Sequence, residues 1–181
     1  MKKISATILI FIGVVLLIFF IFPRNSRVEK DFLVNDFNSC VKAGNPIMES
    51  YPRQCRDSQS KETFTEDVGN VLAVIDLIQL STPLPNEEVS SPLVIKGQAR
   101  GNWFFEASFP VVLVNWDGLI IAEGYATAQD DWMTEEFVPF EATLEFIKPD
   151  YSNRGALILQ KDNPSGLPEN DNALEVPILF E

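Results

Sequence analysis

The sequence predicts an all-β fold, an antiparallel β-sandwich of about seven strands over residues 71–181, after an N-terminal transmembrane helix and a small disulfide hairpin. Three observations predict this arrangement. A 19-residue uncharged stretch lies near the N-terminus, two cysteines follow it, and the remainder consists of short apolar runs separated by turn residues. A length of 181 residues allows one globular domain with appendages.

The uncharged stretch, between Ile4 and Phe22, predicts a single-pass signal anchor within residues 1–23 that holds the protein in a membrane. As a helix it would be about 28 Å long, close to the thickness of the bilayer hydrocarbon. A cleaved secretory signal is the alternative, but its apolar core is usually shorter and ends at a small-residue cleavage site, which is missing here. Lys2 and Lys3 favour an N-terminus inside the cell.

Residues 36–66 are predicted to form a small disulfide-stapled module, after a polar spacer at residues 24–35. Pairing of Cys40 with Cys55 would close a loop of about 15 residues, worth about 3 kcal/mol in the chain-entropy model. The alternatives are weaker, because two cysteines without histidine supply only half a zinc site and redox pairs usually have Cys-x-x-Cys spacing. A structural disulfide indicates an oxidising environment, so we expect the C-terminal domain to lie outside the cell.

The charge distribution separates the two ends of the chain. The net charge is −12, with no histidine. Residues 1–30 carry five cations and one acid, so residues 31–181 carry nine cations and 25 acids. The missing histidine excludes Ser-His and Cys-His nucleophile pairs and histidine-ligated zinc. The acidity argues against nucleic-acid binding, which requires a basic face.

The C-terminal region alternates apolar and polar residues with the period of half-buried strands. In chain order, strands are predicted at residues 74–80, 93–99, 105–113, 119–122, 140–146, 156–160 and 174–180. Asp117-Gly118 predicts a type I′ hairpin turn. Pro110 and Pro177 cannot donate to a ladder, so each is expected at a sheet edge or a bulge. No helical window of comparable quality intervenes, and the pattern favours a sandwich of immunoglobulin type.

Seven phenylalanines are predicted to fill the core without an inter-sheet disulfide: Phe104, Phe105, Phe109, Phe137, Phe140, Phe146 and Phe180.

Several blocks in this region resemble, in order over about residues 73–181, the immunoglobulin-like domain family of bacterial spore germination. The blocks are Pro83-Leu84-Pro85-Asn86, Val89-Ser90-Ser91-Pro92-Leu93-Val94-Ile95-Lys96-Gly97, Ala99-Arg100-Gly101-Asn102-Trp103-Phe104-Phe105-Glu106-Ala107-Ser108-Phe109-Pro110, Asp131-Trp132-Met133-Thr134 and Lys161-Asp162-Asn163-Pro164-Ser165-Gly166. Asp130 stands where the family favours glycine. The resemblance implies an extracytoplasmic binding module without catalytic residues.

The cysteine segment resembles a short Cys-x-x-Ala-Gly-Asn-Pro…Tyr-Pro-x-x-Cys element of exported bacterial proteins. That element carries no known activity, and the resemblance supports export to the cell envelope.

The polar and aromatic residues of the family blocks are the candidate site: Arg100, Trp103, Glu106, Asp131, Trp132, Asp162 and Asn163. They suit either a recognition surface, with tryptophan rings stacking on a sugar or peptide, or a structural corner in which those rings plug one end of the sandwich. The corner is the favoured interpretation, because buried aromatic anchors are commoner than exposed platforms. No metal or cofactor is expected, since the acidic loops around Asp131 and Glu169 lack calcium-loop spacing.

The sequence as a whole therefore predicts a non-catalytic envelope protein, single-pass in the bacterial cytoplasmic membrane, that binds another protein or a cell-wall glycan. A structural spacer or assembly subunit of an envelope complex is the alternative.

Overall fold

The computed structural model describes residues 33–181. The predicted anchor and most of the predicted spacer lie outside these residues. Among the residues described, no helix is long and apolar enough to cross a membrane. Val34–Glu181 form one compact unit, which contains the cysteine module and the sandwich.

The cysteine module consists of one short helix and a three-stranded antiparallel sheet. Helix α1 (Phe37–Lys42) begins where the Asp36 carboxylate accepts a hydrogen bond from the Ser39 amide at 2.6 Å. Strands β1 (Ile47–Met48), β2 (Gln54–Arg56) and β3 (Thr63–Thr65) pair in that order.

The predicted disulfide is confirmed. Cys40 on α1 is bonded to Cys55 on β2, and both residues are wholly buried beside Phe37. It staples the helix to the sheet in a module with a very small hydrophobic core.

A one-turn helix, α2 (Val71–Val74), leads into the sandwich. The sandwich contains eight strands, which are β4 (Ile78–Thr82), β5 (Glu88–Val89), β6 (Leu93–Arg100), β7 (Ser108–Asn115), β8 (Ile120–Ala128), β9 (Phe137–Leu144), β10 (Arg154–Gln160) and β11 (Ala173–Phe180). Two 3₁₀ turns, Gly101–Trp103 and Pro168–Asn170, lie in the connections.

The eight strands follow one hydrogen-bonded order, β4-β6-β9-β8-β7-β10-β11-β5. All neighbours are antiparallel except β5, which lies parallel to β11. Strand β8 pairs with β9 only at Thr127 and Ala128. At that corner the ladder folds over, so that β4-β6-β9 pack against β8-β7-β10-β11-β5, as in an immunoglobulin-like sandwich.

The core lies between these two layers and is built from alternate residues of each long strand. Phe109 of β7 meets Phe140 of β9 edge to face, with ring centroids 5.0 Å apart. Phe104 and Phe180 are also buried, as predicted. Phe146 is half-buried but packs against the core, with its ring 5.4 Å from that of Phe180. Phe137 is half-buried outside that cluster and Phe105 is 41% exposed, so the prediction was wrong for these two.

Three further expectations need correction. The first strand of the sandwich starts at Ile78, four residues later than predicted. Residues 71–74 form α2 instead, and the Leu77 amide donates a hydrogen bond to the Val74 carbonyl. The two-residue strand β5 was not predicted. The Asp117-Gly118 hairpin exists, but only Gly118 has a positive φ (82°), so the turn is not type I′.

Both strand prolines lie where a neighbouring ladder is missing, as expected. Strand β10 pairs with β7 from Val111 onward, which leaves Pro110 beyond its end. Strand β5 pairs with β11 only from Leu179 onward, which leaves Pro177 on an open edge.

Asparagine residues cover the rest of that open edge. The Asn70 side chain donates to the Ala173 carbonyl at 2.8 Å and accepts from the Glu175 amide at 2.7 Å. The backbone amide of Asn86 donates to the Pro177 carbonyl at 2.7 Å. The backbone groups on this side of β11 are therefore already partnered.

Candidate functional site

The residues singled out from the sequence all lie at one end of the sandwich, which we call the loop end (residues 100–107, 129–136 and 161–172). Strands β6, β8 and β10 run in the same direction, because β6 and β8 are both antiparallel to β9, and β8 and β10 are both antiparallel to β7. Their C-terminal loops therefore meet. The fold brings the seven candidates into one neighbourhood but gives them different surroundings.

Trp103 is wholly buried in the core. It ends the 3₁₀ turn Gly101–Trp103, and its carbonyl accepts a hydrogen bond from the Asp162 amide at 3.0 Å, which joins two loops. Its indole Nε1 has no hydrogen-bond partner among the residues described. A ring in this position plugs the end of the sandwich and cannot stack on an external ligand.

Arg100 is tied to two segments of the chain, one at Asp76 and the other at residues 135–137. Its Nε donates to the Asp76 carbonyl and its Nη1 to the Glu135 carbonyl, both at 3.1 Å. The guanidinium carbon lies 4.0 Å from the centre of the Phe137 ring. The Glu136 carboxylate lies 3.7 Å from Nη1 and is largely exposed. Backbone carbonyls and an aromatic face therefore occupy Arg100, so it positions the loops.

Trp132 is half-buried and packs against the core beside Gly101. A β-carbon on Gly101 would lie 1.9 Å from the Thr134 carbonyl oxygen and 2.3 Å from that of Trp132, so only glycine allows the two loops to approach this closely. The Asp131 carboxylate accepts from the Met133 amide at 3.1 Å. Met133 itself is 77% exposed and is the most accessible apolar group of this loop.

The remaining candidates have local structural contacts. Glu106 is exposed and has a positive φ (50°) in the turn before β7. Asn163 closes the loop between β10 and β11, because its Nδ2 donates to the Leu167 carbonyl at 2.8 Å and to the Asp171 carboxylate at 2.7 Å. The loop end thus has the features expected of a structural corner.

A second concave region lies between the cysteine module and the outer face of the sandwich, and the sequence did not predict it. We call it the module cleft; its volume is about 590 Å³. It is lined by Asp36, Phe37, Asn38, Thr65, Asp67, Gly69, Asn86, Val114, Asn115, Trp116, Gly118, Arg154, Gly155, Ala156, Glu175, Pro177, Ile178 and Leu179.

The floor of the module cleft is apolar and half-buried, and it is formed by outward-facing residues of three adjacent strands. Val114 comes from β7, Ala156 from β10, and Pro177 and Leu179 from β11. Ala156 pairs with Val114 on one side and with Pro177 on the other, so these three residues form a row across the sheet.

The rim of the module cleft is polar and mainly acidic. Asp36, Asp67 and Glu175 line it together with a single cation, Arg154. Hydrogen bonds from Ser39 hold the pKa of Asp36 below its usual value, and the charge of Arg154 acts in the same direction. The Asp36 carboxylate is therefore ionised at neutral pH.

An exposed aromatic pair stands at one mouth of the module cleft. Trp116, in the turn after β7, is 60% exposed and meets Tyr151 edge to face, with ring centroids 6.4 Å apart. The buried Asn115 holds Tyr151 in place, because its side chain donates to the Tyr151 hydroxyl and also accepts from the Leu119 amide in the turn. An exposed tryptophan beside a hairpin turn was the one signal in the sequence that could have indicated this site.

Two packed β-layers, a plugged loop end and an attached disulfide module define the class: an immunoglobulin-like β-sandwich domain with a small stapled subdomain. Comparison with protein families gives a match over residues 77–166 to the immunoglobulin-like domain of bacterial spore germination. The sandwich therefore belongs to that family. Comparisons with curated proteins and with solved structures found no match.

Proposed function

We propose that the chain is a membrane-anchored protein of the bacterial envelope whose β-sandwich lies outside the cytoplasm and acts as a non-catalytic binding module for another protein or a cell-wall glycan. The observation that carries the proposal is the buried Cys40–Cys55 disulfide, directly preceding a domain of the spore-germination family. Such a bond persists in oxidising compartments and is rare in the cytosol. The uncharged stretch from Ile4 to Phe22 supplies the anchor.

The side-chain contacts at the loop end occupy three of the candidate residues within the domain itself. Arg100 donates to backbone carbonyls of two other segments, Asn163 donates within its own loop, and Trp103 is wholly buried. These contacts favour the second candidate function, a spacer or assembly subunit of an envelope complex, because they stiffen the domain.

Cysteine accessibility in living cells tests the location and the orientation. In a Cys40→Ala, Cys55→Ala background, Glu169→Cys places a thiol on an exposed loop, and Lys3→Cys places one at the predicted inner end. A membrane-impermeant maleimide should label the first in intact cells and the second only after lysis. The reverse pattern, or labelling of both only after lysis, would show that the proposed topology is wrong.

The binding role is tested by retention on purified peptidoglycan and by chemical crosslinking in cells. Trp132→Ala is the suitable loop-end variant, because Trp103→Ala would remove core packing instead of a surface contact. Glycan retention that Trp132→Ala abolishes places a glycan site at the loop end. A specific crosslinked protein without glycan retention supports a protein partner. If neither occurs, the spacer role replaces the binding role.

A further inference from the structure

We propose that the module cleft binds an extended peptide segment of a partner protein, with lysine or arginine side chains alternating with small apolar ones. The inference rests on the proposed binding function and specifies its site and ligand class. It is carried by the shape of the cleft, the charge of its rim and the way in which the neighbouring sheet edge is closed.

The shape of the module cleft suits an extended chain. Its volume of about 590 Å³ lies within the range of about 300–1,000 Å³ that is usual for ligand sites. Val114, Ala156 and Pro177 form a row across β7, β10 and β11. Because Ala156 is small, the middle of this row is low enough to accept an aliphatic side chain. Alternate residues of an extended peptide point to the same side, so every second side chain can lie on this floor.

The charge of the rim selects a cationic ligand. Three carboxylates, on Asp36, Asp67 and Glu175, face one guanidinium, on Arg154. Asp36 and Asp67 each accept one local amide hydrogen bond, which leaves acceptor capacity for a ligand. The Glu175 side chain makes no hydrogen bond or ion pair with any residue in the described part of the chain, so it is available to a lysine or arginine.

The mouth of the module cleft adds a contact for the same kind of ligand. The exposed Trp116 ring is held against Tyr151, and a cation over an indole face gains about 0.5–1 kcal/mol at an exposed site. A neutral glycan could donate hydroxyl hydrogen bonds to the three carboxylates but would gain no charge attraction from them. A cationic peptide uses the rim, the floor and the aromatic mouth together.

Strand addition at the adjacent edge of β11 is blocked. Asn70 and Asn86 occupy the backbone groups of Ala173, Glu175 and Pro177. A ligand in the cleft therefore lies on the outer face of the sheet and is held by side-chain contacts, without extending the ladder.

The test uses the full-length chain in neutral detergent and a fluorescent probe peptide of alternating valine and lysine that carries a photoreactive group. Glu175→Arg should weaken binding of the probe at least tenfold, because it reverses a rim charge without touching the backbone contacts of Asn70. The matched control is Glu169→Arg, which makes the same charge change on an exposed loop-end residue and should change binding less than twofold. Ala156→Trp fills the floor and should weaken binding as strongly as Glu175→Arg.

Crosslinks from the bound probe should map by mass spectrometry to residues that line the module cleft. Equal weakening by Glu175→Arg and Glu169→Arg would overturn the proposal, since it would mean general attraction to an acidic domain. Crosslinks elsewhere, or no binding, would also overturn it. Binding that appears only after Arg24→Gln, Arg27→Gln and Lys30→Gln would show that the chain's own spacer fills the cleft. Displacement by an N-acetylglucosamine oligomer would assign the site to a glycan.

These outcomes are separable from failure of the proposed function. If surface labelling and in-cell crosslinking succeed while the probe fails, the envelope protein binds through another surface. If the labelling fails, the location is wrong whatever the probe does.

Discussion

Removal of the Cys40–Cys55 disulfide gives the sharpest test of how the module is held together. The two cysteines are 15 residues apart. In the chain-entropy model a loop of this length lowers the unfolded-state entropy by about 10 cal/mol/K, which is about 3 kcal/mol at 25 °C. The Cys40→Ala, Cys55→Ala variant loses this contribution and also the packing of two wholly buried sulfur atoms.

The module has too little hydrophobic packing to compensate for the loss of the disulfide. Its buried cluster consists of Phe37 and the two cysteines, whereas 22 buried residues form the core of the sandwich. We therefore expect residues 36–66 to open while the sandwich stays folded. The Arg53–Glu66 ion pair will not hold the module, because the Arg53 side chain is half-exposed.

Hydrogen exchange measured by mass spectrometry on the full chain provides the assay. A loss of about 3 kcal/mol corresponds to roughly a hundredfold faster exchange in peptides that cover α1 and β2, with β6 and β10 unchanged. Wild-type protein treated with a reductant is the control and should show the same acceleration. An acceleration below tenfold in the module, or an equal one in the sandwich, would refute the reasoning.

Three further predictions concern the loop end and the module. Trp103→Ala should lower the free energy of unfolding by about 3–5 kcal/mol. Trp103→Phe should lower it much less, because the indole Nε1 has no hydrogen-bond partner to lose. Equal losses for the two variants in urea unfolding would contradict this. Gly101→Ala should cost about 1–3 kcal/mol or more, because the new methyl group meets the Thr134 carbonyl, and an unchanged melting temperature would exclude this clash. Glu66→Gln should cost about 1 kcal/mol at pH 7. Hydrogen bonds from Arg53 lower the pKa of Glu66 from its ordinary value of 4.5. The wild-type protein should therefore have its full extra free energy of unfolding over Glu66→Gln above pH 4.5, and should lose it as the pH falls through the lower pKa of the folded state. A difference that persists in acid would refute the pairing.

Most of the sandwich could be predicted because its strands have local signals. Alternation places Val111 and Leu113 on the inner face of β7 without reference to any partner strand. Residues 74–77 were misassigned to a strand because their side chains are mostly apolar or β-branched, whereas a local hydrogen bond from the Leu77 amide to the Val74 carbonyl turns the chain. The turn type at Asp117-Gly118 was misassigned because only Gly118 takes the positive φ that both residues need in a type I′ turn.

The candidate site was harder to predict than the fold. The sequence singled out polar and aromatic residues, but residue type alone does not show whether Trp103 faces a ligand or the core. Apart from Trp116 beside the hairpin turn, nothing in the sequence indicated the module cleft, because Asp36, Val114, Ala156 and Glu175 are far apart along the chain and carry no common motif.

The sequence alone determined the period of the strands, the Cys40–Cys55 pairing and the family of the sandwich, because these depend on residue order over short distances or on blocks that recur as written. Only the tertiary structure decided that Trp103 is a plug, that Arg100 is held by backbone carbonyls and that an acidic cleft lies beside β11. Those features arise where segments distant in sequence approach one another, and packing of the whole chain sets that approach.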